Sequence, residues 1–238
     1  MPILALLRHG QSQWNLENRF TGWVDVDLTP EGEAQARRAG TLLRASEARI
    51  ERVHTSVLTR AIRTANLALE SMGELWLPMT KDWRLNERHY GALTGLNKAE
   101  TAARHGEDQV RVWRRAYDIP PPPLEPGSAY DFATDRRYAA AGEPPATESL
   151  KTTLVRVLPY LEGVILPELQ SGLNLMVAAH GNSLRAILKQ LMNISDTDIT
   201  GLEIPTGNPL ILTLGADAAV RDARYLDESR AEPLPGFE

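Results

Sequence analysis

The chain has 238 residues, 42% of them hydrophobic, which is enough to fill a substantial core, and its formal net charge is -5 with a pI near 5.6. That acidity excludes a general affinity for nucleic acid or anionic membranes, so any anion binding must come from a local cluster of cations. There is no cysteine, which excludes disulfides, thiolate metal sites and cysteine nucleophiles together and fits a reducing cytosol.

The apolar run at 2–7 is short, has no basic region before it and leads straight into charged residues. It reads as neither signal peptide nor membrane span, and a cytoplasmic protein is expected. Within it ILALL (3–7) has the composition of a strand buried on both faces, and it ends in Arg8-His9-Gly10. Thr29-Pro30 is a good N-cap and first-turn pair, and EGEAQARRAGTLLRA continues from it at helical spacing. RVHTS (52–56) is a strand candidate ending in the small polar pair Thr55-Ser56, and VLTRAIRTANLALE predicts a helix from Val57. Residues 119–147, with PPPP, EPG and EPP, cannot be regular throughout and read as an irregular excursion, either an active-site lid or a surface connection. A further helix begins near Ser149, and Pro159 and Pro167 should kink or subdivide it. LNLMVAA (173–179) is a second buried strand, and it too ends in His-Gly, at His180-Gly181. NSLRAILKQLM then sets Leu184, Ile187, Leu188 and Leu191 on one helix face, and LILTL from Leu210 is another strand candidate.

Strands alternating with helices predict an α/β fold: an open, mostly parallel sheet with helices on both faces, binding ligands beyond the carboxyl ends of the strands near the switch in strand order. No linker divides the chain, so one domain over 1–238 is expected, with an insertion at about 119–147. A flexible or differently docked tail is expected from about 226 to 238, where prolines and acidic residues cluster.

A neutral imidazole is an abundant nitrogen nucleophile near pH 7, Gly10 lets a ligand approach the backbone, and the Arg8 fork suits phosphate oxygens. A histidine at a strand end is more often a hydrogen-bonded structural residue. Two His-Gly pairs at the ends of two strands change that balance, because neighbouring parallel strands would bring the imidazoles together. One could attack phosphorus while the other stabilises charge on the transferring oxygens. The competing metal site, built from His9, His180 and a carboxylate, lacks ligands at HxH or HExxH spacing, and Arg8 would repel a cation. Glu87, in the polar stretch RLNERHYGALTGLNK (84–98), is a candidate proton donor whose pKa phosphate charge would push up; the alternative is a solvated carboxylate paired with Arg84 or Arg88. Arg60 could reach the same pocket, and adjacent Arg114 and Arg115 could recognise a substrate carboxylate or second phosphate, although such residues are commonly just a solvated helix face.

LLRHGQSQWN, FTGW, TSVLTRA, LNERHYGALTGLNK, VWRRAYDIPPPP, DRRY, AAHGNSLR and IPTGNPL, in that order, resemble the cofactor-dependent phosphoglycerate mutases of the histidine phosphatase superfamily, over nearly the whole chain to about Leu212. RHG alone would imply only the superfamily; the NERHYG block, the double Arg and the second HGN narrow it. The resemblance implies His9 as the phosphorylated nucleophile, Glu87 as general acid and base, and His180 as transition-state stabiliser, with Arg8 and Arg60 holding the transferring phosphoryl group. Ser12, Asn15, Asn182 and the Gly181 backbone would be further donors, and Thr21, Gly22, Arg88, Tyr90, Lys98, Arg114 and Arg115 would position the glycerate. Gly10, Gln11, Gln13, Trp14 and His89, which belong to the same motifs, complete the implied contact set.

The implied reaction interconverts 3-phosphoglycerate and 2-phosphoglycerate, with 2,3-bisphosphoglycerate as primer, no metal, and a homodimer or higher oligomer. Rivals are a phosphatase of small phosphate esters, a bisphosphoglycerate mutase and, in another class, a non-enzymatic phosphate-binding regulator, which would have no use for a nucleophile and an acid together. Two departures stand out: Gln13 replaces the usual Glu, and the tail lacks the usual lysine-rich ending.

Overall fold

The computed structural model describes residues 1–46, 48–139 and 142–236. Strand β1 (Ile3–Arg8) is followed by the single-turn helix α1 (Gln13–Leu16) and by α2 (Pro30–Ala45), whose N-cap is Thr29 as its sequence predicts. Strand β2 (Arg52–Thr55) leads to α3 (Thr59–Met72), which starts two residues later than the apolar spacing suggests because Leu58 is extended and serves as N-cap. Strand β3 (Met79–Lys81), helices α4 (Lys98–His105) and α5 (Glu107–Arg115) and the irregular excursion follow.

The helix expected from Ser149 is subdivided as its prolines require. Helix α6 (Leu150–Tyr160) carries Pro159, passes into a wide π turn (Leu161–Ile165) and resumes as α7 (Leu166–Gln170), with Pro167 in its first turn. Then come β4 (Leu175–Ala179), α8 (Gly181–Leu191), β5 (Leu210–Leu214) and β6 (Val220–Tyr225). The charged, half-exposed VRDARY of β6 has no apolar run to announce it, and it forms one edge of the sheet.

The six strands lie in the order β3-β2-β4-β1-β5-β6, parallel except where β5 runs against both of its neighbours. Alternation sorts the central strands between two cores. Leu4 and Leu6 of β1 and Leu175 and Val177 of β4 pack with Leu154, Val157, Leu184 and Ile187 of α6 and α8. Ala5, Leu7, Met176 and Ala178 face the other way, toward Ala39 and Leu43 of α2 and Ala65 and Leu69 of α3. Helices therefore cover both faces, and the chain leaves β1 toward one face and β4 toward the other. Such a divergence between neighbouring parallel strands opens a crevice at their carboxyl ends.

Of the expected insertion, 140–141 lie outside the described residues; elsewhere in it Pro122 O accepts from the Ala92 N–H of the 89–97 segment at 2.8 Å, and Tyr130 lies edge-on to Trp14. In the tail expected to be flexible or differently docked, of which 237–238 lie outside the described residues, the part up to Leu234 contacts the rest of the protein. Asp227 is buried, Asn208 Nδ2 donates to the Asp227 carbonyl at 3.0 Å, Arg230 donates to Thr206 O at 2.6 Å, and Leu234 packs on the larger core.

The turn after β1 meets the start of α2 backbone to backbone. A Cβ on Gly32 would lie 2.0 Å from Gln11 O, and one on Gly10 would lie 2.1 Å from Gly32 O. Gly32→Ala is therefore expected to destabilise the protein by about 2 kcal/mol or more and to lower turnover by displacing the turn beyond His9; urea unfolding and steady-state kinetics check both.

Candidate active site

The pairing of β1 with β4 runs in register up to Arg8 opposite Ala179, and the His9 N–H extends it by donating to Ala179 O at 3.0 Å. His9 and His180, both buried, consequently stand side by side with ring centroids 5.0 Å apart. His9 Nδ1 lies 2.7 Å from the Gly10 carbonyl, which can only accept, so Nδ1 carries the proton and Nε2 keeps the nucleophilic lone pair. Burial foremost, then the charges of Arg60 and Arg8, hold the pKa of His9 well below its ordinary value against the opposing Gly10 bond. The ring is thus neutral at pH 7.

The other imidazole is set by Ser56. Its hydroxyl accepts the Leu58 N–H at 3.2 Å and lies 2.7 Å from His180 Nε2. With the hydroxyl donating to Nε2, the proton of neutral His180 sits on Nδ1, a buried atom with no partner. His180 is also held well below its ordinary pKa, by burial first and then by Arg60 and His9.

Arg8 donates from Nη1 to Ile204 O at 2.7 Å, and Arg60 donates to Val24 O and Gly22 O, both at 2.8 Å. Gly22 is left-handed (φ 54), which presents its carbonyl to Arg60. The Nε atoms of Arg8 and Arg60 are buried without a partner. Burial lowers the pKa of Arg60 to about 10, with Glu87 and Asp25 opposing, so it remains a cation. Fixed guanidinium groups with unpaired N–H bonds beside a neutral imidazole can hold a tetrahedral anion such as a phosphoryl group.

Glu87 is not the solvated carboxylate of the alternative reading, since Arg84 pairs with Asp82 instead. Glu87 Oε1 accepts from Arg88 N at 2.7 Å, Asn182 N at 3.2 Å and Asn182 Nδ2 at 2.8 Å, which leaves Oε2 for a ligand's proton. A buried ion pair holds its loop. Arg156 clasps Glu148 through two bonds of 2.7 and 2.9 Å and donates to the carbonyls of Arg84, Asn86 and Glu87, while Trp23 Nε1 donates to Glu87 O at 2.6 Å. Nothing in the local sequence marks Arg156 or Glu148 as supports of Glu87.

One cavity collects most of the expected residues: Arg8, His9, Asn15, Thr21, Gly22, Arg60, Glu87, Tyr90, Lys98, Arg114, Arg115, Gly181 and Asn182. The others lie outside its lining, His180 among them, which is fully buried beside the His9 ring. Gly10 packs on Gly32, Gln11 bonds to Gln35 and Thr29, and Ser12 caps α1. Gln13 is exposed and donates to Glu17 at 2.8 Å, so the departure from Glu falls outside the cavity wall. Trp14 stacks beneath the Arg19 guanidinium, and Arg88 is buried behind the Tyr90 ring with Nη2 bonded to Arg114 O. His89 is structural: its ring Nδ1 accepts the Gly91 N–H at 3.0 Å, and its backbone N–H donates to Glu148.

Four lining residues were not anticipated: Arg19, Phe20, Arg185 and Glu203. Arg19 and Phe20 directly precede Thr21, and Arg185 lies three residues past Asn182 on the same helix face, so spacing could have found them. Glu203 had no such signal.

Burial brings His89 down from 6.5 to about 4, with Glu148 opposing and Arg156 adding to it. The unfolded chain binds this proton more readily than the folded one, so the contribution to stability is full above about pH 6.5 and is lost as the pH falls toward about 4, by roughly 3 kcal/mol. Urea unfolding across this range should show a steeper loss in the wild type than in His89→Gln; equal slopes would contradict it. Ser56→Ala should reduce kcat about tenfold, the value of one well-placed hydrogen bond, with a smaller effect on KM. Unchanged kcat would remove Ser56 from the orientation of His180.

Residues 4–141 match the family model of the histidine phosphatase superfamily (branch 1). The chain is 66% identical over 235 residues to the 2,3-bisphosphoglycerate-dependent phosphoglycerate mutase of Caulobacter sp. (strain K31), covering 99% of each, and 62% identical over 228 residues to the enzyme of that name from Sphingopyxis alaskensis, covering 96% of this chain and 100% of the other. Among solved structures, a mycobacterial glucosyl-3-phosphoglycerate phosphatase superposes with a TM-score of 0.72 at 23% identity, covering 94% of this chain and 97% of the other, a likeness of fold. The chain therefore belongs to the histidine phosphatase superfamily and, within it, to the family of 2,3-bisphosphoglycerate-dependent phosphoglycerate mutases.

Proposed function

We propose that the protein interconverts 3-phosphoglycerate and 2-phosphoglycerate through a phosphohistidine at His9. The observation that carries this reading is the pairing, in one cavity, of a phosphoryl-sized pocket at His9, Arg8 and Arg60 with a second cationic group, Lys98, Arg114 and Arg115. A ligand with anionic groups at both ends fits that division, and the unpartnered Nε atoms of Arg8 and Arg60 are donors that a phosphate would satisfy. 2,3-Bisphosphoglycerate has this charge pattern, and when bound it supplies the phosphoryl group that primes His9.

His9 Nε2 holds the phosphoryl group and yields it to the free hydroxyl of the monophosphate, while Glu87 Oε2 takes the hydroxyl proton. Arg8, Arg60 and the Nδ1–H of His180 meet the charge on the transferring oxygens, and no donor needs to move because each is already held by a carbonyl or by Ser56. After the intermediate has reoriented, His9 Nε2 attacks the other phosphorus and Glu87 returns the proton to the departing oxygen. Lys98, Arg114 and Arg115 retain the intermediate by its remaining charges.

A homodimer is part of the same reading, supported by the exposed Leu75 and Trp76 just before edge strand β3. So is a cytoplasmic location, which the cysteine-free composition suits.

The test couples 3-phosphoglycerate conversion to enolase, with and without 2,3-bisphosphoglycerate, while inorganic phosphate is measured in parallel. Turnover should depend on the bisphosphate and should survive a chelator beyond the magnesium need of the coupling enzyme. His9→Ala should abolish both turnover and acid-labile phosphate on the protein. Arg114→Ala should raise KM about tenfold by removing a charged contact. Phosphate release faster than formation of the 2-isomer would make the protein a phosphatase, and wild-type turnover in His9→Ala would end the proposal.

A further inference from the structure

The lining of the cavity holds two carboxylates, Glu87 and Glu203. Glu87 has a place in phosphoryl transfer, whereas Glu203 has none, and a second carboxylate in an anion site works against binding. Its position is built rather than incidental. Leu202 and Ile204 on either side are buried, so their side chains are turned into the core. The Glu203 carbonyl accepts from the Tyr225 hydroxyl at 3.4 Å, and the next carbonyl, of Ile204, accepts from Arg8 at 2.7 Å. The segment that carries Glu203 is thus tied to the arginine of the phosphoryl pocket and is not free to withdraw. The Glu203 side chain stays 41% exposed and forms an ion pair with Arg115 of α5.

We propose that Glu203 is a specificity-determining residue: its carboxylate holds the place on Arg115 that an anionic group of the substrate takes, and binding exchanges one for the other. This rests on the reading of Arg114 and Arg115 as the second anion site. A half-exposed ion pair is weak, so an incoming anion can displace it. The displaced carboxylate, held by its anchored backbone, remains beside the ligand and repels it. The repulsion grows with the charge at that end of the ligand, so Glu203 weakens a second phosphate more than a carboxylate. The device lets the bisphosphate bind and still leave, and it favours ligands with a single phosphate. Arg185, buried and lining the same cavity, is pulled down to about 10 by burial and by Arg88 and Arg115, with Glu203 opposing, which agrees with Glu203 being the local counter-charge.

The test is calorimetric binding of 2,3-bisphosphoglycerate and of 3-phosphoglycerate to the wild type, Glu203→Gln, Arg115→Ala and the double variant. Glutamine keeps the shape and the hydrogen bond to Arg115 and removes the charge. Glu203→Gln should bind the bisphosphate about tenfold more tightly and the monophosphate about threefold more tightly, and the gain should shrink in the Arg115→Ala background. A merely structural role for Glu203 would weaken binding or leave it alone. Affinities within about twofold of wild type, or weaker, would overturn the proposal, as would an equal gain for both ligands. Binding reads out whether or not the wild type turns over, so a wild type that binds both compounds without mutase activity would sink the functional reading alone. A wild type that binds neither would overturn both.

Discussion

The parallel pairing of β1 with β4 is the constraint on which the rest of the site depends. Hydrogen-bond register holds Arg8 opposite Ala179, and one further bond, from His9 N to Ala179 O, sets the two imidazoles level. The chain then leaves β1 for the face covered by α2 and α3, and leaves β4 for the face covered by α6 and α8. A crevice opens where they part, and the only side chains that the strands can offer to it are those at their carboxyl ends. Slipping the register by one residue would separate the rings and turn the buried Leu and Ala of both strands toward the wrong cores.

Around that pair, the cavity is preorganised by main-chain carbonyls. Arg8 and Arg60 are each fixed through their terminal nitrogens by carbonyls from other segments, which leaves their Nε atoms buried and unpaired. Such atoms are costly in an empty site and become favourable when an anion enters. Burial first, and then the positive charge of Arg60 and Arg8, keeps both imidazoles neutral. The enclosure that fixes the two rings thus also leaves His9 its free lone pair, and the neighbouring guanidinium groups add to that effect.

The carboxylate opposite them is held less directly. Glu87 stands on a loop with no regular secondary structure, and its position depends on Arg156 and Trp23, which donate to the carbonyls of Arg84, Asn86 and Glu87, and on Glu148, which holds the Arg156 guanidinium. Loops of this kind place a reactive group accurately only when buried polar partners satisfy every exposed backbone atom. The excursion touches the 89–97 segment through Pro122 and the start of the chain through Tyr130 against Trp14, so irregular parts of the molecule brace one another.

The sequence by itself determined the elements whose signals are local. Apolar runs marked β1 and β4, Thr29-Pro30 and helical spacing marked α2, and the two prolines foretold the division between α6 and α7. The paired His-Gly ends marked where two histidines meet. Edge strand β6 escaped because an exposed, charged strand has no apolar period. Only the tertiary structure decided which motif residues face the cavity. Gln11, Ser12, Gln13, Trp14 and His89 share motifs with His9 and Glu87 yet turn to caps, packing or solvent, because adjacent residues in a turn must point in different directions. It alone brought in Glu203, Arg156 and Glu148, whose effect on the site comes from contacts between segments far apart in the chain. Such contacts depend on how the layers pack, and no local pattern of residue types encodes them.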